Sequence, residues 1–244
     1  MFSISVVIPC YNAHKFINKN LLRLRDKLLS LNVNYEIILI DDGSQDSTSE
    51  IINRFKKKNK FIKLMKNNEN KGKSFSLIKG IKKSKYQNII IIDCDLPYFS
   101  SLNKIVFCLK KKVDLVFVNR KLKGSKLKEK NLNIYQIIRY ILGATIAYLN
   151  RILLNINFEG GDTQAGLKGF KKNYIFKKNK FISKKFFFDL ELINLYLKNN
   201  LNVISIKASY KIPKKSSIKI FDLKNNFLIL KELISIWILK KHSN

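Results

Sequence analysis

The sequence predicts an α/β domain, a mostly parallel sheet with helices on both faces. Apolar, β-branched runs at residues 3–9, 35–40 and 88–92 read as strands buried on both sides. Between them lie stretches with apolar residues at helical spacing, so strand and helix alternate as they do in the crossover connections of a parallel sheet. The chain has 244 residues, 46% of them hydrophobic, which suffices for a substantial core. No Pro/Gly/Ser-rich linker and no repeat at solenoid spacing divides it.

The elements follow in order. Ser3–Pro9 is the first strand, and a helix over about 14–31 places Phe16, Leu21, Leu24, Leu28 and Leu31 on one side. Tyr35–Ile40 is the second strand and ends at Asp41-Asp42-Gly43-Ser44. Asp46, Ser47 and Thr48 supply capping groups for a helix running to about Lys58. Phe61–Met65 is a short third strand, and Lys71-Gly72-Lys73-Ser74 opens the next helix. The run Asn88–Ile92 is a central strand, followed by a helix near 101–111 and a strand over Val113–Val118. Residues 1–220 are read as the domain. Residues 221–244 are read as a tail with an amphipathic helix, carrying Phe227, Leu230, Ile234, Trp237 and Ile238 at helical spacing.

Lys and Arg number 48 against 17 Asp and Glu, a formal charge of +31. The lysines are scattered along a chain rich in Lys, Asn and Ile throughout, so the excess reads as a compositional bias. Attraction to anionic lipid headgroups ranks next. Nucleic-acid binding ranks last, because no binding motif accompanies the charge. Cys10, Cys94 and Cys108 show neither pairing nor zinc spacing, which points to a reducing compartment. The N-terminal run lacks the features of a signal peptide, so a cytoplasmic location is expected. Residues 134–156, interrupted by Arg139 and Arg151, and the tail both fall short of the roughly 20 apolar residues a bilayer span needs. Each reads as a helix lying on a membrane surface, with burial against the domain at least an equal alternative for 134–156 and a partner subunit an alternative for the tail. Oligomeric state is not legible.

Asp93-Cys94-Asp95 carries the strongest functional signal. Two carboxylates leave the end of a buried strand, at the sheet edge where open α/β sheets bind ligands. With no basic residue adjacent, they suit a hard divalent cation held through oxygen; the plain alternative is a solvated turn. Pro9-Cys10-Tyr11-Asn12 leaves the first strand at the same edge, where the Tyr11 ring can stack on a base. Asp41 and Asp42 leave the second, free either to accept from a uracil or guanine N–H or to cap a helix. In a parallel sheet the three clusters converge. His14 and His242 have no sequence partner and read as surface histidines.

The order Val-Val-Ile-Pro-x-Tyr-Asn (6–12), Ile-Asp-Asp-Gly-Ser-x-Asp-Ser-Thr (40–48), Asn-x-Gly-Lys (70–73) and Asp-x-Asp-Leu (93–96) resembles the family-2 glycosyltransferases of Rossmann-like GT-A fold. Asp162-Thr-Gln-Ala-Gly-Leu-Lys168 and Phe188-Asp-Leu-Glu-Leu192 resemble the polyprenyl-phosphate (dolichyl-phosphate) glucosyl- and mannosyltransferases, and the likeness runs over about residues 3–212. It implies an inverting, metal-dependent hexosyltransferase that moves a sugar from a nucleotide sugar of UDP-glucose or GDP-mannose type to a polyprenyl phosphate. By the same resemblance Pro9, Tyr11 and Asp42 hold base and ribose, with Asn12 and Asp41 beside them. Asp93 and Asp95 bind Mg²⁺ or Mn²⁺ across the diphosphate. Lys73, Arg120 and Arg139 meet phosphate, and Asp162 and Gln164 line the sugar and acceptor side. Lys168 takes the family's basic position, and Glu191, more than Asp189, approaches the sugar. Two departures stand out: Ala13 replaces a usual Glu, and Pro97 replaces a Gln that helps hold the metal. Two other functions are compatible with the sequence. One is a family-2 transferase acting on a saccharide hydroxyl, with Glu191 or Asp162 as base; the other is a non-enzymatic nucleotide- or nucleic-acid-binding protein.

Overall fold

The computed structural model describes residues 1–129, 131–153, 161–172, 176, 181–183, 185, 187–212, 231, 232, 234, 235 and 238. Strands β1 (Ser3–Cys10), β2 (Asn34–Asp41), β3 (Ile62–Lys66), β4 (Asn88–Ile92) and β5 (Leu115–Asn119) alternate with helices α1 (Ile17–Ser30), α2 (Thr48–Lys57), α3 (Lys73–Lys82) and α4 (Leu102–Lys110). Then come β6 (Lys126–Leu127), α5 (Ile134–Leu153), β7 (Leu167–Lys171), α6 (Phe188–Lys198), β8 (Val203–Lys207) and β9 (Ser209–Tyr210). The main sheet has seven strands in the order β3-β2-β1-β4-β7-β5-β8, and β6 pairs with β9 in a small second sheet.

The unbroken apolar runs form strands because both faces are covered. Along β4, Ile90 and Ile92 belong to one core cluster, while Ile89 and Ile91 belong to the other. Strand β2 divides the same way, Ile37 and Leu39 from Ile38 and Ile40. This is the period-two alternation of a pleated strand with helices on either side. The first cluster takes Ile17, Leu21, Leu24 and Leu28 of α1, Ile52 and Phe55 of α2, and Leu102 and Ile105 of α4. The second takes Leu77 and Ile81 of α3 and Phe188, Leu192 and Tyr196 of α6. The expected α1 stripe is present, with Ile17 and Asn20 also buried at its start.

None of the four strands after β5 was foreseen, and one of them is central to the sheet. β7 runs antiparallel between β4 and β5, pairing Ile91 with Lys168 on one side and Phe117 with Lys168 on the other. Its sequence, Leu-Lys-Gly-Phe-Lys, has two lysines and a glycine and lacks a strand's apolar pattern. It is central because Gly169 lets Ile105 and Leu109 of α4 pack onto the backbone, while Lys168 finds a carboxylate on the opposite face. All other pairings in the main sheet are parallel, so the ends of β1, β2, β4 and β5 share one edge. Of the tail positions singled out from the sequence, Ile234 and Ile238 are described and exposed. Phe227, Leu230 and Trp237 lie outside the described residues.

Candidate active site

The loops leaving β1 and β2 are laced together. Asn12, at φ 48°, donates its backbone N–H to Ser44 Oγ at 3.0 Å, and its Oδ1 accepts the Gln45 N–H at 3.0 Å. Beside it, between Pro9 of β1 and this loop, the Tyr11 ring is 38% exposed at the edge. Asp41 is buried and accepts the Ser44 N–H at 3.0 Å, closing the turn in which Gly43 takes φ 74°. A Cβ on Gly43 would lie 2.5 Å from the backbone of Glu69, so close chain approach and a left-handed backbone both demand glycine there. Asp42 turns inward. Its carboxylate accepts Asn67 Nδ2 at 2.7 Å and the N–H groups of Lys71 and Gly72 at 3.0 and 2.9 Å, anchoring the loop that enters α3.

Ser47 is the N-cap of α2, and Asp46 just before it accepts the Thr48 N–H on Oδ1 at 2.9 Å. His14, expected to lack a partner, places Nδ1 2.5 Å from Asp46 Oδ2. The pairing bridges 32 positions, which no local spacing reveals. Burial pushes the Asp46 carboxyl up, but hydrogen bonds from Thr48 and His14 outweigh it and bring the group to about 2. A depressed folded value contributes stability above the ordinary carboxylate range, and that stability is lost as pH falls toward the folded value. Urea midpoints should therefore fall between about pH 4 and about pH 2, and Asp46→Asn should flatten that part of the profile.

The β4 turn holds the paired carboxylates. Asp95 is exposed, and Asp93 is half-buried with its carboxylate laid on Gly166, where any Cβ would overlap it. Leu96 takes φ 53° in front of Pro97, an uncommon conformation for a leucine. The Cys10 thiol, hydrogen-bonded with Cys94 and buried, is held well above its ordinary value. Lys73, the first residue of α3, sets its ammonium 2.7 Å from Asp93 and 3.8 Å from Asp189 of α6. Burial works against that charge, but Asp93 and Asp189 outweigh it and hold Lys73 above the ordinary lysine value. Lys168 is 0% exposed; its ammonium lies 2.6 Å from Asp189 and donates to the Ala165 carbonyl at 2.5 Å. Burial presses Lys168 below the ordinary lysine value, and Asp189 opposes it.

At the end of β5, Arg120 grips Asp162 bidentately, Nε to Oδ2 at 2.8 Å and Nη2 to Oδ1 at 2.7 Å, with the Arg120 N–H adding 2.9 Å to Oδ2. Burial alone would raise the Asp162 carboxyl, yet Arg120 brings it below the ordinary value. The Gln164 N–H donates to Asp162 Oδ1 at 3.2 Å, placing its side chain on the same turn. Tyr98 sits buried between the Arg120–Asp162 and Lys73–Asp93 pairs, its hydroxyl pushed up to about 12 chiefly by burial. Nothing in the sequence marked Tyr98, since its neighbours come from distant segments.

One expected site residue lies apart. Glu191 is buried, and its carboxylate accepts the N–H groups of Ile182 (2.9 Å) and Ser183 (3.0 Å) rather than facing the cluster. Burial raises it, partly offset by those hydrogen bonds. Asp189, the less favoured of the two, is the one that meets Lys73 and Lys168. Residues i and i+2 point to different sides of a helix, and here the side facing the two lysines goes to Asp189. Arg139 lies on α5, but its side chain is outside the description.

Oxygen donors at Asp93 and Asp95 have the hardness Mg²⁺ or Mn²⁺ prefers, and the Gly166 cradle fixes one of them, so the residues fit such an ion. Among the described residues no three His, Cys, Asp or Glu side chains gather as a metal cage. Two carboxylates plus substrate phosphate and water is a usual set for Mg²⁺.

The profile of glycosyl transferase family 2 matches residues 5–175. The chain belongs to that family. It is 30% identical over 125 residues to a dolichol-phosphate mannosyltransferase of Pyrococcus furiosus, covering 51% of this chain and 35% of that protein. Over 93 residues it is 39% identical to a poly-beta-1,6-N-acetyl-D-glucosamine synthase of Staphylococcus epidermidis, covering 38% and 21%. An uncharacterized protein of Methanocaldococcus jannaschii is 33% identical over 178 residues, 69% of this chain and 72% of that one. The chain thus spans about a third or less of the first two relatives. Among solved structures, glucosyl-3-phosphoglycerate synthase from Mycobacterium tuberculosis in complex with Mn²⁺ and UDP-glucose superposes at TM-score 0.67 and 14% identity, covering 96% and 79%. S. aureus TarS residues 1–349 in complex with UDP-GlcNAc superpose at 0.61 and 18%, covering 98% and 67%. These likenesses establish the GT-A fold for this family-2 member.

Proposed function

We propose that the protein is an inverting glycosyltransferase that moves a hexose from a nucleoside diphosphate sugar to a polyprenyl phosphate at a membrane face. One observation carries the acceptor. A cavity of about 400 Å³ is lined by Arg120, Lys121, Lys123, Tyr140 and Tyr210, with Tyr140 supplied by α5. Ile134, Ile137, Ile141 and Tyr148 stand exposed on one stripe of α5, Ile134 at 73% and Tyr148 at 65%. A basic recess beside an apolar ledge complements an anionic headgroup on a hydrocarbon tail. No helix among the described residues is long and apolar enough to cross a membrane, so contact along α5 would be at the surface. The dolichol-phosphate mannosyltransferase relative supports the same acceptor class.

The donor would enter over Tyr11, whose ring offers a stacking face, with its diphosphate at Asp93, Asp95 and Lys73. Asp93 and Asp95 would hold Mg²⁺ or Mn²⁺, which supplies positive charge against the leaving diphosphate. An acceptor phosphate is already anionic, so it needs positioning by cationic groups more than deprotonation. The alternative acceptor, a saccharide hydroxyl, is favoured by the poly-beta-1,6-N-acetyl-D-glucosamine synthase relative. It requires a general base within reach. Asp162 is committed to Arg120 and Glu191 to residues 182–183, which weighs against that reading.

The test is nucleoside diphosphate release from a panel of UDP- and GDP-sugars, with Mn²⁺ and polyprenyl phosphate, comparing wild type with Asp95→Ala. Release should require metal and lipid and fall about a hundredfold in the variant. A donor that binds with metal yet turns over only with a saccharide would move the acceptor assignment to sugars. Absence of donor binding would end the enzyme reading.

A further inference from the structure

A row of alternating charges crosses the sheet edge: Lys168 to Asp189 at 2.6 Å, Asp189 to Lys73 at 3.8 Å, and Lys73 to Asp93 at 2.7 Å. Asp93 is one of the two carboxylates that the proposed function gives to a divalent cation. Its Oδ1 already carries an ammonium at hydrogen-bond distance. A divalent ion on that carboxylate would face a like charge only a few ångströms away, in a site part-shielded from water. The two cations therefore compete for Asp93.

The lysine has somewhere else to go. Asp189 lies on its other side, on the first turn of α6, within one small rotation of a flexible four-carbon stem. Asp189 is largely neutralised by the buried Lys168, so it holds Lys73 less strongly than Asp93 does, consistent with the longer distance. A diphosphate arriving at the edge would offer the ammonium a third acceptor of higher charge.

We infer that Lys73 is a built-in counter-cation, occupying Asp93 in place of the divalent ion and yielding it when a nucleoside diphosphate gives the ammonium another partner. The inference rests on the donor-and-metal reading above. Its function is order: free metal binds the empty site poorly, and metal and diphosphate enter together, their affinities linked through one side chain. The Lys73 and Asp93 side chains remain 35% and 30% exposed, so metal and diphosphate can reach the pair.

The experiment titrates the full chain with Mn²⁺ alone, following free Mn²⁺ by electron paramagnetic resonance, then repeats it with UDP or GDP present. Wild type, Lys73→Met and Lys73→Arg are compared after thermal melts have shown each to be folded. Lys73→Met should bind Mn²⁺ alone about tenfold more tightly than wild type, and its melting temperature should rise more on adding Mn²⁺. Lys73→Arg, which keeps the charge, should bind Mn²⁺ as wild type does. Equal affinities in all three proteins would overturn the inference while leaving the metal reading intact. Equal gains in both variants would also overturn it, since loosening and not charge would be the cause. If no form binds Mn²⁺ even with UDP or GDP, the metal reading fails and this inference with it.

Discussion

Asp162→Asn should destabilise the fold by about 3 kcal/mol, read as a lower urea midpoint at unchanged slope. Asp162 is 2% exposed and accepts three N–H groups from Arg120. The amide keeps the shape but removes the charge, leaving a part-buried guanidinium, its side chain 28% exposed, with no counter-ion. Removing one partner of such a pair costs more than removing both, because the desolvation of the survivor stays uncompensated. Asp162→Leu combined with Arg120→Met should therefore recover most of the lost stability while leaving the basic cavity without its guanidinium. Stability unchanged in Asp162→Asn would mean that water, rather than Asp162, balances Arg120.

Gly166→Ala should lower metal-dependent turnover about a hundredfold, the cost of shifting a reacting group by roughly an ångström. The added methyl overlaps the Asp93 carboxylate, and backbone in β7 follows immediately, so the carboxylate is the part that must move. Overpacking at one methyl costs the fold about 1–3 kcal/mol, leaving a folded protein in which to measure the loss. Turnover and Mn²⁺ affinity at the wild-type level would show that Asp93 is not needed where Gly166 holds it.

Much of this architecture is legible in the chain. The continuous Ile runs of β2 and β4 announce strands covered on both faces, and three acidic or aromatic exits from parallel strands must share an edge. What could not be read was what pairs with what. Lys168 looks like a ligand-facing lysine in its motif, yet it is sealed in the sheet on Asp189, 21 positions away. Asp42 and Glu191 look free to meet substrate, yet Asp42 spends its oxygens on Asn67 and on the N–H groups of Lys71 and Gly72, and Glu191 on those of Ile182 and Ser183. Local pattern encodes element type. Partner choice among charged groups is settled by tertiary placement, which leaves no periodic trace.

Strand β7 also bears on how this protein can change over generations. Lys168 points toward α6 and Gly169 toward α4, on opposite sides of the same ribbon. Loss or gain of a single residue just before Leu167 would exchange the two sides. An ammonium would then be driven among Ile105 and Leu109, and Asp189 would keep only the more distant Lys73 as counter-charge. Segment length between Asp162 and Leu167 is thus frozen, and variation in this part of the chain must come by substitution.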